Sequence, residues 1–173
     1  MKNISKAIIA AAVVLGSTNI SFAQASATAS ASATIITPIS ISKTVDMNFG
    51  NIAVAASTSG TVILSTSSSR TTGGSGGVTL PSTTGTVASA QFTVSGQVSY
   101  TYAITLPTSA TLSDGNSHTM TVSSFNSNPS STGTLSSGGT QTLYVGATIG
   151  VGAAQAAGTY TNSTGVPVTV NYN

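Results

Sequence analysis

Gly73-Gly74-Ser75-Gly76-Gly77 has the spacing of a nucleophile elbow, and Asp114 and His118 follow it in the chain order of an α/β-hydrolase triad. In such an arrangement the Ser75 hydroxyl would attack a carbonyl, His118 would take its proton and Asp114 would hold the imidazole. The flanking sequence opposes this chemistry, because an elbow sits between a strand and a helix. Here SSSRTT precedes the glycines, and VTLPSTTG, with Pro81, follows them. Metal chemistry has no better footing. His118 is the only His, Cys is absent, and Asp46 and Asp114 are the only carboxylates. A zinc or iron site would lack ligands, and paired acid/base work would need two carboxylates free of other duties. Asp114 already has one, in the turn Ser113-Asp114-Gly115-Asn116, and Asp46 is expected to bond backbone. The sequence thus offers no catalytic residue, no cofactor and no metal ligand. Asn162-Ser163-Thr164 fits a glycosylation sequon in a chain rich in Ser and Thr.

The charge balance divides at the N-terminus. The chain carries four Lys and Arg against two Asp and Glu, a formal +2. Lys2 and Lys6 supply that whole excess, leaving Lys43 and Arg70 against Asp46 and Asp114. Those two lysines open a stretch with an apolar run, Ala7 to Leu15, and a small-residue site, Ser21-Phe22-Ala23. This is the pattern of an export signal cleaved after Ala23, so residues 1–23 are read as a signal peptide. The run has about half of the roughly 20 residues a membrane helix needs, which argues against a permanent membrane anchor. Without Cys, a lipoprotein anchor and disulfide staples are excluded. The remaining chain is formally neutral, which removes the basis for a nucleic-acid partner and for steering to anionic lipid. A neutral surface also associates more readily than a charged one.

The elements are strands. From Ala25 to Phe49 one apolar parity persists through Ala25, Ala27, Ala29, Ala31, Ala33, Ile35, Ile39, Ile41, Val45, Met47 and Phe49. That exceeds the usual strand of about 5–6 residues, so Gln24–Thr34 is set apart as an extended N-terminal segment and residues 35–173 as the domain. Gly50 then shifts the parity, as a bulge or bend would. Ala90, Phe92 and Val94 alternate before Gly96-Gln97, and Val98, Tyr100, Tyr102, Ile104 and Leu106 after it, which predicts a hairpin with a II′ turn. Ser67–Gly77 and NSNPSSTGTLSSGG read as loops. Leu143, Val145, Ala147, Ile149 and Val151 form a long strand, and Val166, Val168, Val170 and Tyr172 form the last, with Pro167 marking an unpaired side or a start. Helix periodicity is nearly absent. The expected fold is all-β, an antiparallel immunoglobulin-like sandwich of about seven to nine strands.

Four phrases, ITPISISKTVDMNFGNI, AQFTVSGQVSYTYAITLP, TLYVGATIGVGAAQAAGTYT and VTVNYN, together resemble the exported bacterial family of domain of unknown function 4402. The resemblance covers nearly the whole chain after the signal and implies a secreted β-sandwich. NSTGVP, before the last strand, departs from the shorter ending of that pattern. More distantly the chain resembles spore coat U-like domains and chaperone–usher pilins. Their last strand alternates after a Gly and finishes at a penultimate aromatic, parts that Gly158 and Tyr172 match. That likeness implies a periplasmic chaperone as a partner and donation of an N-terminal strand to a neighbour, although the Cys pair common in pilins is missing.

These readings converge on a non-enzymatic structural protein, exported to the periplasm, cell surface or medium, that self-associates into an oligomer, fibre or adhesive layer. The candidate association strand carries Ile35, Ile39 and Ile41, and the candidate C-terminal edge strand Val166, Val168, Val170 and Tyr172. Gln24–Thr34 is either a donor or a spacer, since a row of Ala buries little. The alternative is a stand-alone binding module for a carbohydrate or host surface, with Tyr100, Tyr102 and Tyr144 as candidates. A small outer-membrane barrel is a third class, disfavoured by the few aromatic residues available for girdles.

Overall fold

The alternation becomes twelve strands in the computed structural model, which describes residues 23–173. They are β1 Ser40–Val45, β2 Ala53–Val54, β3 Gly60–Leu64, β4 Arg70–Gly73, β5 Val78–Thr79, β6 Ala90–Ser95, β7 Thr101–Thr105, β8 Ser109–Ser113, β9 Thr119–Asn128, β10 Thr132–Thr134, β11 Thr140–Val151 and β12 Thr169–Tyr172. Every pairing is antiparallel. The count exceeds seven to nine because β2, β5 and β10 are fragments of two or three residues. No helix forms among the described residues, and none there is long and apolar enough to cross a membrane. The signal reading of residues 1–23 lies, except for Ala23, outside the described residues.

β11 is the axis of a seven-stranded sheet. Its 12 residues double the usual strand length, and it uses that length to serve two neighbours along one side. Thr140 to Val145 pair with β6, and Ala147 to Val151 pair with β3. Its other side pairs with β9, which carries β8 at its far edge. β1 extends β6 and β4 extends β3. Between the two partners sits Gly146, where a Cβ would overlap the Leu64 carbonyl, so only glycine lets β3 leave the sheet there. Against this sheet lie a three-stranded sheet, β10-β7-β12, and the pair β2-β5.

Two apolar lobes fill the interior. Val62, Leu64, Val78, Val122, Ala147, Ile149 and Val151 gather with Phe49 in one. Ala90, Phe92, Val94, Tyr102, Leu135, Leu143, Val145 and Val170 form the other. Met47 and Phe125 pack against both. Burial of each large side chain contributes about 1.5–3 kcal/mol, so β11, with Leu143, Val145, Ala147, Ile149 and Val151 inward, ties the lobes into one core. Tyr102 is fully enclosed; its hydroxyl donates to Gln141 Oε1 at 2.8 Å, and the same oxygen accepts the Thr134 N–H at 2.9 Å. Burial raises the Tyr102 pKa. Gly133 leaves the space the ring occupies.

Three local expectations are corrected. The predicted hairpin over Ala90–Leu106 does not form: β6 belongs to the large sheet and β7 to the small one, so Gly96–Tyr100 crosses between layers. Parity identified Phe92 and Tyr102 as inward, and two inward strands in opposite layers satisfy it as well as a hairpin does. Val98 and Tyr100 lie in the crossing and are exposed. Ser67–Gly77 is not all loop, since Arg70–Gly73 pairs with β3 as β4. The turn before it is stitched by Ser65 Oγ, which contacts the Ser67 and Ser69 hydroxyls and accepts both their N–H groups. The stretch NSNPSSTGTLSSGG ends β9, contains β10 and buries Leu135. The Ser113–Asn116 turn and the bend at Gly50, which has φ +67°, are as expected. Arg70 Nη1 donates to the Phe49 and Asn51 carbonyls around that bend.

Candidate functional site

Both candidate strands lie at sheet edges. β1 pairs only with β6, and β12 only with β7. Ile41 stands opposite Val94, and Ile39 and Ile41 are half-buried against the Phe92 lobe of their own domain. Ile35 is 96% exposed. Residues 23–34 are exposed as well and join no strand. Asp46, expected to bond backbone, instead pairs with Lys43.

At the other end, Val170 is buried opposite Ile104, Val168 packs half-buried on the same lobe, and Val166 is half-buried before the strand begins. Pro167 falls outside the ladder, which starts at Thr169. Tyr172 closes the edge. Its hydroxyl accepts the Gln97 N–H at 2.6 Å and donates to the Thr37 carbonyl at 2.7 Å. Thr37 N–H in turn donates to Gln97 Oε1 at 3.2 Å, and the ring meets Tyr100 edge-on at 5.7 Å. One phenol therefore links the last strand, the crossing after β6 and the approach to β1. A Cβ at Gly96 would overlap that hydroxyl, which makes glycine necessary there.

Beside these edges a groove of about 1290 Å³ opens between the layers. Phe92, Val122, Ile149 and Val151 form its floor, with Met47 and Val168 along the sides. The Lys43–Asp46 pair stands at one rim. The opposite wall is the strap from Gln155 to Val166, which forms no strand. It is held by the Ser113–Thr161 bridge and by Tyr160, whose hydroxyl donates to the Ala156 carbonyl and accepts from Gln155 Nε2. Asn162 Oδ1 bonds the N–H and hydroxyl of Thr164, so the sequon forms a turn.

The hydrolase constellation is dispersed. His118 Nδ1 and Asp114 Oδ2 lie 2.7 Å apart, inside the β8–β9 turn. Burial works to raise the Asp114 pKa, but the hydrogen bonds from the His118 ring and from the Asn116 and His118 N–H groups prevail and lower it. This is turn chemistry. Ser75 follows β4, three strand intervals from β9, a separation of about 14 Å at the usual strand spacing. Among the described residues no group of three or more His, Cys, Asp or Glu could hold a metal.

The family model described as Domain of unknown function (DUF4402) matches residues 39–172, which run from just before β1 to the end of β12. The chain belongs to that family. No curated protein and no solved structure matches it.

Proposed function

We propose that this DUF4402 protein is a non-enzymatic, exported structural protein of the cell surface or its surroundings, whose copies join edge to edge into a fibre or adhesive layer. The observation that carries this reading is the free edge of β12, reached just before the strand, at Val168, by a groove with an apolar floor and polar rims, in a chain that also has an exposed segment of strand parity that joins no strand. Residues 24–35 of one copy would add to the edge of the next. Fully extended, those residues reach about 40 Å, enough to follow β12 and the groove beyond it. Main-chain hydrogen bonds supply affinity in such strand addition, and alternate side chains filling pockets set register. Ile35 is the largest side chain available for this, while Ile39 and Ile41 already pack within their own domain.

The test is association of the protein beginning at Gln24, by size-exclusion chromatography and electron microscopy. Concentration-dependent oligomers are expected. Deleting Gln24–Thr34 should return monomers with an unchanged circular dichroism spectrum; oligomers that persist would make the segment a spacer. A monomer at every concentration would overturn the proposal.

A further inference from the structure

The solvent face of the large sheet carries no charge. Ala90, Phe92 and Val94 point inward on β6 and Leu143 and Val145 on β11, so Gln91, Thr93 and Ser95 and Thr142 and Tyr144 point outward. The register aligns them across strands: Asn128, Tyr144 and Gln91 in one row, then Thr142, Thr93 and Ser42. Beyond Gly146, Thr121, Ser123, Thr148 and Thr61 carry hydroxyls on the other half of the sheet, interrupted by Ile63, which is exposed opposite Thr148. A face serving only solubility ordinarily mixes Lys, Arg, Asp and Glu. Here Lys43 and Asp46 lie at the groove on the inner side.

The polar groups of the Tyr144 row are also unspent. Of the four glutamines in the domain, Gln97, Gln141 and Gln155 bond other protein groups, whereas the Gln91 side chain bonds none among the described residues. The Asn128 amide and the Tyr144 phenol are likewise free of protein partners there, while Asn48, Asn51, Asn116 and Asn162 hold turns and loops. Two amides with donors and acceptors thus flank one partly exposed aromatic ring, at about 4.8 Å strand intervals. Next to them the Leu64–Thr66 backbone passes over Gly146 and bounds the patch on one side.

We propose that this face is a binding surface for a neutral polysaccharide, with Tyr144 as the ring platform and Gln91 and Asn128 bonding sugar hydroxyls. An anionic or cationic polymer would find no countercharge on the patch, and an apolar one would leave the amides unpaired at a cost. A neutral polyol offers both a C–H face for the ring and hydroxyls that can donate and accept. The surface serves a monomer or a fibre alike, since it lies on the face of the large sheet turned away from the groove.

The test uses the protein beginning at Gln24 in sedimentation with microcrystalline cellulose and chitin, and with alginate as a charged control. Binding to a neutral polymer that survives 0.5–1 M salt is expected, because screening acts only on charges. Tyr144→Ala should weaken it at least about tenfold, in line with the loss from an aromatic anchor. Thr142→Lys, which keeps Tyr144 and adds a buried charge on contact, should weaken it too, while Tyr100→Ala, in the crossing between layers, should not. Melting curves establish that each variant folds. The proposal is overturned by absence of binding to both neutral polymers, by salt-sensitive binding, or by full binding in folded Tyr144→Ala.

Discussion

The two ends of the chain share one alternation and meet different fates. Val166, Val168, Val170 and Tyr172 lie on one parity, and the last four residues of that stretch pair with β7. Ala25 to Ala33 also hold one parity, yet residues 23–34 join no strand among the described residues. The difference is side-chain size. Ordering a residue's backbone costs about 1–2 kcal/mol, and a buried Val or Tyr returns about 1.5–3 kcal/mol. An Ala methyl returns about 0.8 kcal/mol per carbon, too little to offset itself and the polar residue that follows. Period two is therefore a statement about which face a residue would show, and bulk decides whether the face is used.

Removing the larger end should break the comparison most severely. Ending the chain at Val168 deletes β12, exposes Leu135 and Tyr102 and uncovers the Phe92 lobe. We expect no cooperative melting transition, read by calorimetry. Gly96→Ala follows, since its Cβ would occupy the site of the Tyr172 hydroxyl. Displacing the phenol and straining the crossing should cost about 1–3 kcal/mol, measured by urea unfolding. A smaller loss is expected from Tyr172→Phe, which keeps the ring against Tyr100 and removes one donor and one acceptor. The Thr37 carbonyl and Gln97 N–H lose their partner, for about 1–2 kcal/mol. If Tyr172→Phe costs as much as Gly96→Ala, the overlap at Gly96 acts only through the hydroxyl; if it costs nothing, the phenol is not what holds the C-terminal edge.

Much of the core was legible because it depends on parity alone. Phe92, Val94, Leu143, Val145 and Ile149 all point inward as the alternation requires, and the Asp114-Gly115 turn forms because Gly115 takes φ +79°. Pairing was not legible. Ala90–Ser95 and Thr101–Thr105 obey one pattern whether they meet as neighbours or face each other across the core, since the pattern reports faces and not partners. β4 and β10 were hidden by Ser- and Gly-rich composition, although Leu135, a lone large apolar residue in such a run, marked a chain returning to the core. The Tyr172 link joins residues 135 positions apart, and the row Asn128, Tyr144 and Gln91 exists only once register is known. No local pattern encodes either. Asp114 and His118 did come together, but the third member was placed strands away, which chain order cannot reveal.

The smallest expected effect on stability lies at the N-terminal end, and it carries the most information about the comparison. Ile35→Ser replaces a side chain that is 96% exposed, so the unfolding free energy should change by no more than about 0.5 kcal/mol. Replacing Ala27, Ala29, Ala31 and Ala33 together by Val should be just as silent in the monomer's melting temperature, because these residues are exposed and unpaired. Association is where the two substitutions should part. Each Val adds two methyl groups' worth of apolar surface, about 0.8 kcal/mol apiece when buried, and raises strand propensity. If bulk is what the segment lacks, the Val variant should form oligomers at lower concentration than the native chain and Ile35→Ser at higher, with both monomers melting alike. Equal association in all three would mean that residues 24–35 do not enter an interface, and that bulk does not explain why one end folds and the other stays free.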